Sequence, residues 1–469
     1  MLTIIIVIVY FLGVLAIGLM SRRQAKGLDD FFVAGRKGSS LFITGSLLAT
    51  IVGGSATIGM AGLGFTRGLT GAWWLLVGSI GLIVLGLFFA EKVRKFRLYT
   101  LPQIVEKQYG RVVAMVASLL IVIAWTAILA GQIIAFRNIM IVLGWGNPTI
   151  WMVAFSLVFI AYTILGGQHA VIRTDALQTV IIFAGIFTTL ALVLSRLGGI
   201  DGLKASLPPE QFAFPLSPQF GPVALVSYLL LIGLTYVVGP DMYSRLFSAR
   251  DEKTARVAVL STAGIIIPLA LAITVIGMGA AALFPQIPVP DQALPTVINE
   301  VLPPILSGIV MAALLCAIMS SADTILLSAS TILTVDIIKK VKPALSPRKT
   351  LAASRWTIVA LGLTSLALSL VLEGVIRALL FAYTIYSAGV ILPVIAGFYQ
   401  RRLRVTPRGA LAAIIGGGGA ALSSRLLSIK YLDLGSLLIS ALLLFVVSFI
   451  DYKLTNKRTR PGPPGLTKD

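Results

Sequence analysis

The sequence is short of the groups from which soluble enzymes are built. Only 12% of its 469 residues are charged, about half the share of an ordinary soluble domain. One cysteine, Cys316, and one histidine, His169, are present. This excludes an intramolecular disulfide and makes Cys- or His-rich metal sites implausible. There is no glycine-rich phosphate loop followed by Lys, no nucleophile elbow and no paired acids on a soluble scaffold. The chain therefore reads as a non-enzyme without a cofactor, and any work it does draws on an ion gradient rather than on nucleotide hydrolysis.

What is abundant is apolar surface: 57% of residues are hydrophobic, before 45 glycines are added. One soluble core cannot hide that much, and the alternative solvent is lipid, which a helix crosses with about 20 consecutive apolar residues. Apolar segments fall at 2–21, 40–63, 70–90, 112–143, 149–166, 172–195, 223–244, 255–283, 303–334, 352–371, 375–399, 408–424 and 433–452. The expected fold class is an all-α integral membrane protein of about 13 transmembrane helices. The first run lacks a basic n-region and a cleavage site and reads as a retained helix.

The net charge of +20 is gathered in short clusters between spans, the pattern of a lipid bilayer protein rather than of one that binds nucleic acid. One alternate set of loops holds 31 Lys and Arg and the other 6. The rich set belongs in the cytoplasm, which makes this a multi-pass plasma-membrane protein with its N-terminus outside and its C-terminus, a basic tail, inside. The loops at 198–222 and 284–304 read as partly structured cover.

Non-helical backbone is tolerated in lipid only where it is buried in protein or lines a cavity. Two spans carry breakers: Gly53-Gly54-Ser55 in the second, and Gly239-Pro240-Asp241 in the seventh. Interrupted helices at matching places in two halves point to a transporter's midplane site, although a glycine pair also serves simple close packing. The ninth span places Ala317, Ser320, Ser321 and Thr324 on one helical face, at i, i+3, i+4 and i+7. Neutral hydroxyls and a carbonyl are ligands for a small monovalent cation, completed by carbonyls of Ala49 and Val52. The alternative is back-bonding of the hydroxyls to their own helix. Asp323, costly in lipid, and Asp175 are candidates for an ion path, Asp175 being equally suited to cap its helix. Asp241 reads as a cap or a partner of Arg245, and Asp336 as interfacial. Thr50, Gly53 and Ser55 at the first break, with Gln132, Tyr236 and Tyr383, are the candidate solute-binding residues, against structural use of Gln132 and packing of the tyrosines.

These residues resemble the sodium:solute symporter family over roughly 1–451. The resemblance rests on Phe31-Phe32-Val33-Ala34-Gly35-Arg36, Ala49 to Gly59, Tyr99-Thr100-Leu101-Pro102, Thr174-Asp175-Ala176-Leu177-Gln178, Gly239-Pro240 followed by Arg245, and Ala317 to Asp323. It implies a leucine-transporter-like fold with two inverted five-helix repeats, 40–195 and 223–400. These are preceded by a helix and loop at 1–39 and followed by two helices at 401–453 and a tail at 454–469. It implies sodium moving with a solute by alternating access. The family's sodium site falls on Ala49, Val52, Ala317, Ser320 and Ser321, and a second sodium or ion path on Asp175, Asp323 and Thr324. Ile51 stands where the proline branch has Asp, and the choline branch's aromatic cage would need Trp at Ile51 and near Gly239. An amino acid or a monocarboxylate is the favoured solute, since half-helix N-termini attract carboxylates. A proton-coupled carrier of the same fold and a non-transporting membrane sensor are the alternatives.

Overall fold

The computed structural model describes residues 32–372, 374–427 and 432–458, together with Ile6, Val9 and Gly13; the side chains of 166–178, 425–426, 432–433 and 455–458 are not described. Of the expected first span only those three residues are described, and the side chain of Asp175 lies outside the described ones.

Among the described residues every regular element is helical. Ten segments are long and apolar enough to cross a membrane. That falls short of thirteen for readable reasons: the first span is described at those three residues only, Ser40–Ile51 is a short helix cut off by the first break, and four consecutive glycines dilute Pro407–Leu426. The spans expected at 149–166 and 172–195 lie in backbone that is helical throughout Pro148–Leu197. The apolar stretches Pro148–Leu165 and Thr179–Leu197 flank the side chains not described.

The elements that build the site are α1 (Ser40–Ile51), α2 (Met60–Arg67), α3 (Trp73–Val84), α4 (Arg111–Leu143), α5 (Pro148–Leu197), α6 (Leu234–Val237), α7 (Pro240–Ser248), α8 (Glu252–Leu283), α9 (Pro304–Ile332), α10 (Pro347–Ser369) and α11 (Val375–Tyr386). Their starts follow from local chemistry. Ser39, Asn147, Asp251 and Ser346 each accept a bond from a backbone N–H of the first turn, satisfying a donor the helix leaves open. Helix α8 runs through Pro268, which deprives its own backbone of one bond. Neighbouring hydroxyls supply bonds to carbonyls upstream: Ser79 Oγ donates to Ala263 O at 2.7 Å and Thr44 Oγ1 to Ala258 O at 3.4 Å. Gly277 lets α8 meet α2, because a Cβ there would stand 2.9 Å from the Ala61 carbonyl carbon.

Contacts divide the chain into two units, Met1–Leu101 with Val122–Tyr383, and Pro102–Ile121 with Thr384–Asp469. In the smaller, Tyr109 Oη donates to Pro393 O at 2.7 Å, and Arg408 pairs with Asp451 at 2.6 Å. In the larger, the segment after Phe31 clamps the end of α7. Gly38 N donates to Ser248 O and Arg250 N to Gly38 O, and Arg94 Nε donates to Ala249 O at 2.6 Å.

Candidate functional site

Both expected breaks are present. Helix α1 stops at Ile51; Val52 closes it with its N–H on Leu48 O, at φ −84° and ψ 55°. The chain passes Gly53 and Gly54 and resumes in a wide π-helical turn, Ser55–Gly59. Helix α6 stops at Val237, followed by Val238 at φ −129°, ψ 51° and by Gly239 at φ −92°, ψ 129°. Pro240 then starts α7, where its missing N–H costs nothing.

The first break is held by side chains of two other helices. Gln132 of α4 accepts from Gly54 N–H at 2.8 Å, replacing a backbone bond that the break removes. Ser321 of α9 donates its hydroxyl toward the carbonyls of Ala49, at 3.1 Å, and Thr50, at 2.9 Å. Gly53 is what permits the approach: a Cβ there would lie 2.6 Å from Ser321 Cβ and 2.9 Å from Gln132 Oε1. Ala317 and Ser320 are buried on the same helix. The hydroxyl of Ser321 thus donates to the broken segment rather than back to its own helix.

The other polar groups of α9 face different neighbours. Asp323, 2% exposed, accepts from Thr163 Oγ1 of α5 at 3.0 Å. Thr324 accepts from the guanidinium of Arg245, a residue with no exposed surface. A buried cation already engages Thr324, while Asp323 turns toward α5.

Between the breaks lies a small cavity, wholly within the larger unit. It is lined by Thr50, Ile51, Gly53, Ser55, Trp125, Ile128, Gln132, Thr235, Tyr236, Asp241, Met242, Ile325, Leu379 and Tyr383. All six candidate solute-binding residues are among them. Tyr236 lies against Gly78, and Tyr383 packs against Trp74 at a centroid distance of 6.3 Å. The protons of two lining hydroxyls are spent on their own helices: Thr50 Oγ1 donates to Ser46 O and Thr235 Oγ1 to Leu231 O, both at 2.7 Å. About 40 Å³ is open to water, room for a few molecules. Sequence reasoning missed Asp241, which it treated as a cap or an ion pair. The residue does sit in the first turn of α7, yet it also lines the cavity. Trp125 and Thr235 were missed as well, and no local signal marks them.

Two further recesses adjoin the broken helices. One, of about 610 Å³, is lined by Gly59, Gly62, Thr66, Arg67, Arg137, Asp291 and Arg377 among others. The opposite one, near Tyr99, Pro240, Leu327 and Thr331, has about 10 Å³. Asp336, expected at the interface, is fully buried within the protein, accepting from Thr100 Oγ1 at 2.7 Å with Lys340 Nζ at 3.5 Å.

The family model for the sodium:solute symporter family matches residues 31–417. A sodium/glucose cotransporter of Vibrio parahaemolyticus is 26% identical over 453 residues, 87% of this chain and 82% of its own length. A sodium/pantothenate symporter of Haemophilus influenzae is 24% identical over 474 residues, 97% and 96% of the two chains. The solved structure of a Na+-coupled sialic acid symporter, substrate-bound and outward-open, superposes with a TM-score of 0.80 at 18% identity, covering 96% of this chain and 98% of that one.

Proposed function

The chain belongs to the sodium:solute symporter family, with the all-helical leucine-transporter-like fold of its structural neighbours, and from that premise we propose that it is a secondary active transporter. It moves a small organic solute together with sodium by alternating access. The observation that carries this reading is the Ser321 hydroxyl set against the carbonyls of Ala49 and Thr50 at the first break. Those oxygens share a proton in this structure. When the hydroxyl turns, the same oxygens, all of them neutral, face a cation, which suits a monovalent ion better than a divalent one. We assign the sodium site to Ala49, Val52, Ala317, Ser320 and Ser321. The solute site is the adjoining cavity, with Thr50, Gly53, Ser55, Gln132, Tyr236 and Tyr383. Asp175, Asp323 and Thr324 are assigned to an ion path on the cytoplasmic side.

Coupling follows from sharing the first break. Sodium fixes the break through α9, and the cavity is lined by the same turn, so each ligand favours the state that the other prefers. The unequal recesses, about 610 Å³ against about 10 Å³, support a state open toward the Arg67 and Arg377 end, which the charge rule puts outside. Two inverted repeats, 40–195 and 223–400, an external N-terminus and a cytoplasmic C-terminus belong to the same reading.

Reconstituted in liposomes, the protein should take up solute only with an inward sodium gradient. Uptake driven equally by a proton gradient in sodium-free buffer would overturn sodium coupling in favour of the proton-coupled carrier. Solute binding without flux would make it a sensor.

A further inference from the structure

A carboxylate facing a cavity in the middle of a membrane protein asks for a cation. Asp241 is such a group. Its neighbours from Pro240 to Ala249 are all buried, whereas Asp241 itself keeps partial exposure on the side where α7 meets the cavity. Among the described residues lining that cavity it is the one charged side chain. We infer that Asp241 selects the solute: the cavity takes a small molecule carrying a protonated amine, an amino acid or a simple amine, whose ammonium seats against the Asp241 carboxylate. This rests on the transporter reading and names the substrate class for its site.

The hydrogen-bonding character of the wall agrees with an ammonium, which has three donors and no acceptor. Thr50 has spent its proton on Ser46 O, so what its oxygen offers is a lone pair. Gln132 Oε1 is committed to Gly54 N–H. The Arg245 guanidinium, one turn along α7, donates to the hydroxyls of Thr324 and Ser244. The N-terminus of α7, which the sequence marks as a carboxylate binder, carries its own carboxylate in Asp241, so a solute that is only an anion meets like charge. Much of the rest of the wall (Ile51, Ile128, Met242, Ile325, Leu379) is apolar and offers few partners to the many hydroxyls of a sugar. A polyol would hydrogen-bond the carboxylate but add no positive charge beside it, leaving Arg245, four residues along α7, as its countercharge in a setting where a buried charge is costly. An ammonium cancels it. The tyrosines Tyr236 and Tyr383 then remain as donors for a carboxylate at the other end of an amino acid.

The test is thermal unfolding of the full-length protein in lipid nanodiscs, with and without sodium. The probes are the twenty amino acids and short primary amines, their deaminated acids, glucose and myo-inositol. Stabilisation should come from amine-bearing probes alone. Asp241→Asn should raise their apparent Kd at least tenfold while the stabilisation by sodium alone stays as in the wild type, and Asp241→Glu should restore part of the affinity. Stabilisation by glucose, myo-inositol or a deaminated acid overturns the inference, as does undiminished amine binding by Asp241→Asn, or silence of every amine. An amine that binds regardless of sodium would instead sink the coupling and leave this assignment standing.

Discussion

Gly53 and Ser321 pack so closely that a Cβ on the glycine would fall 2.6 Å from the Cβ of the serine. Two elements 268 positions apart in sequence therefore meet at the point where the first broken helix changes direction, and the serine hydroxyl reaches the carbonyls behind it.

The first consequence is steric. Gly53→Ala should push α9 off the break and reduce sodium-driven uptake by more than tenfold, with the protein still reaching the membrane. Gly264→Ala is the control, since nothing lies within 4 Å of a Cβ there, and its uptake should match the wild type. Equal activity of the two variants would remove the close contact from the mechanism.

Removing the hydroxyl alone is a finer cut. Ser321→Ala relieves no clash and leaves the backbone in place, so folding should survive. The loss of one neutral ligand, about 0.5–1.5 kcal/mol, should raise the sodium concentration for half-maximal uptake by about two- to tenfold. Unchanged sodium activation would move the ion elsewhere.

The smaller recess makes a conformational prediction. Thr100 and Lys340 converge on fully buried Asp336, and this bond holds the segment before Leu101 against Leu333–Ile338, the π-helical segment that follows α9. Asp336→Asn should loosen that closure. In a Cys316→Ala background, chosen because the one native cysteine is buried, a cysteine replacing Ser328 should react with a polar maleimide about tenfold faster. A bond to a charged group is worth about 1.5–3 kcal/mol, enough for such a shift. An unaltered rate would mean that the bond does not close the path.

Asp291 gives a pH prediction at the larger recess. Burial raises its pKa above the ordinary 3.8, against the opposing pull of the Val375 N–H, Arg137 and Arg377. The folded state thus holds this proton more tightly than the unfolded state does. Its contribution to stability is complete below pH 3.8 and declines as pH rises through the raised value. Across that window the wild type should lose thermal stability relative to Asp291→Asn. A relative gain with rising pH would reverse the sign and refute the burial argument.

Much of the architecture could be read along the chain because it depends on local properties. Apolar runs show where lipid is the solvent, and Gly53-Gly54 and Gly239-Pro240 show where a helix cannot continue. The four-residue rhythm from Ala317 to Thr324 marks a polar stripe on one face. The reading faltered where one residue type has several uses. Asp241 stands in a helix's first turn, where an acid ordinarily caps, and nothing in the neighbouring residues says that it also borders a cavity. Asp336, beside a lysine cluster, looked interfacial and is buried.

The sequence by itself determined that this protein lives in a membrane, where its helices break, and which oxygens are available near the breaks, since composition and helical period act over a few residues. Only the tertiary structure decided which of them converge. Ser321 meets carbonyls about 270 positions away, Asp323 meets Thr163, and Thr324 meets Arg245, although all three lie within one turn of the same helix. Directions around a helix are chosen by the neighbours packed against each face, and those neighbours come from distant parts of the chain.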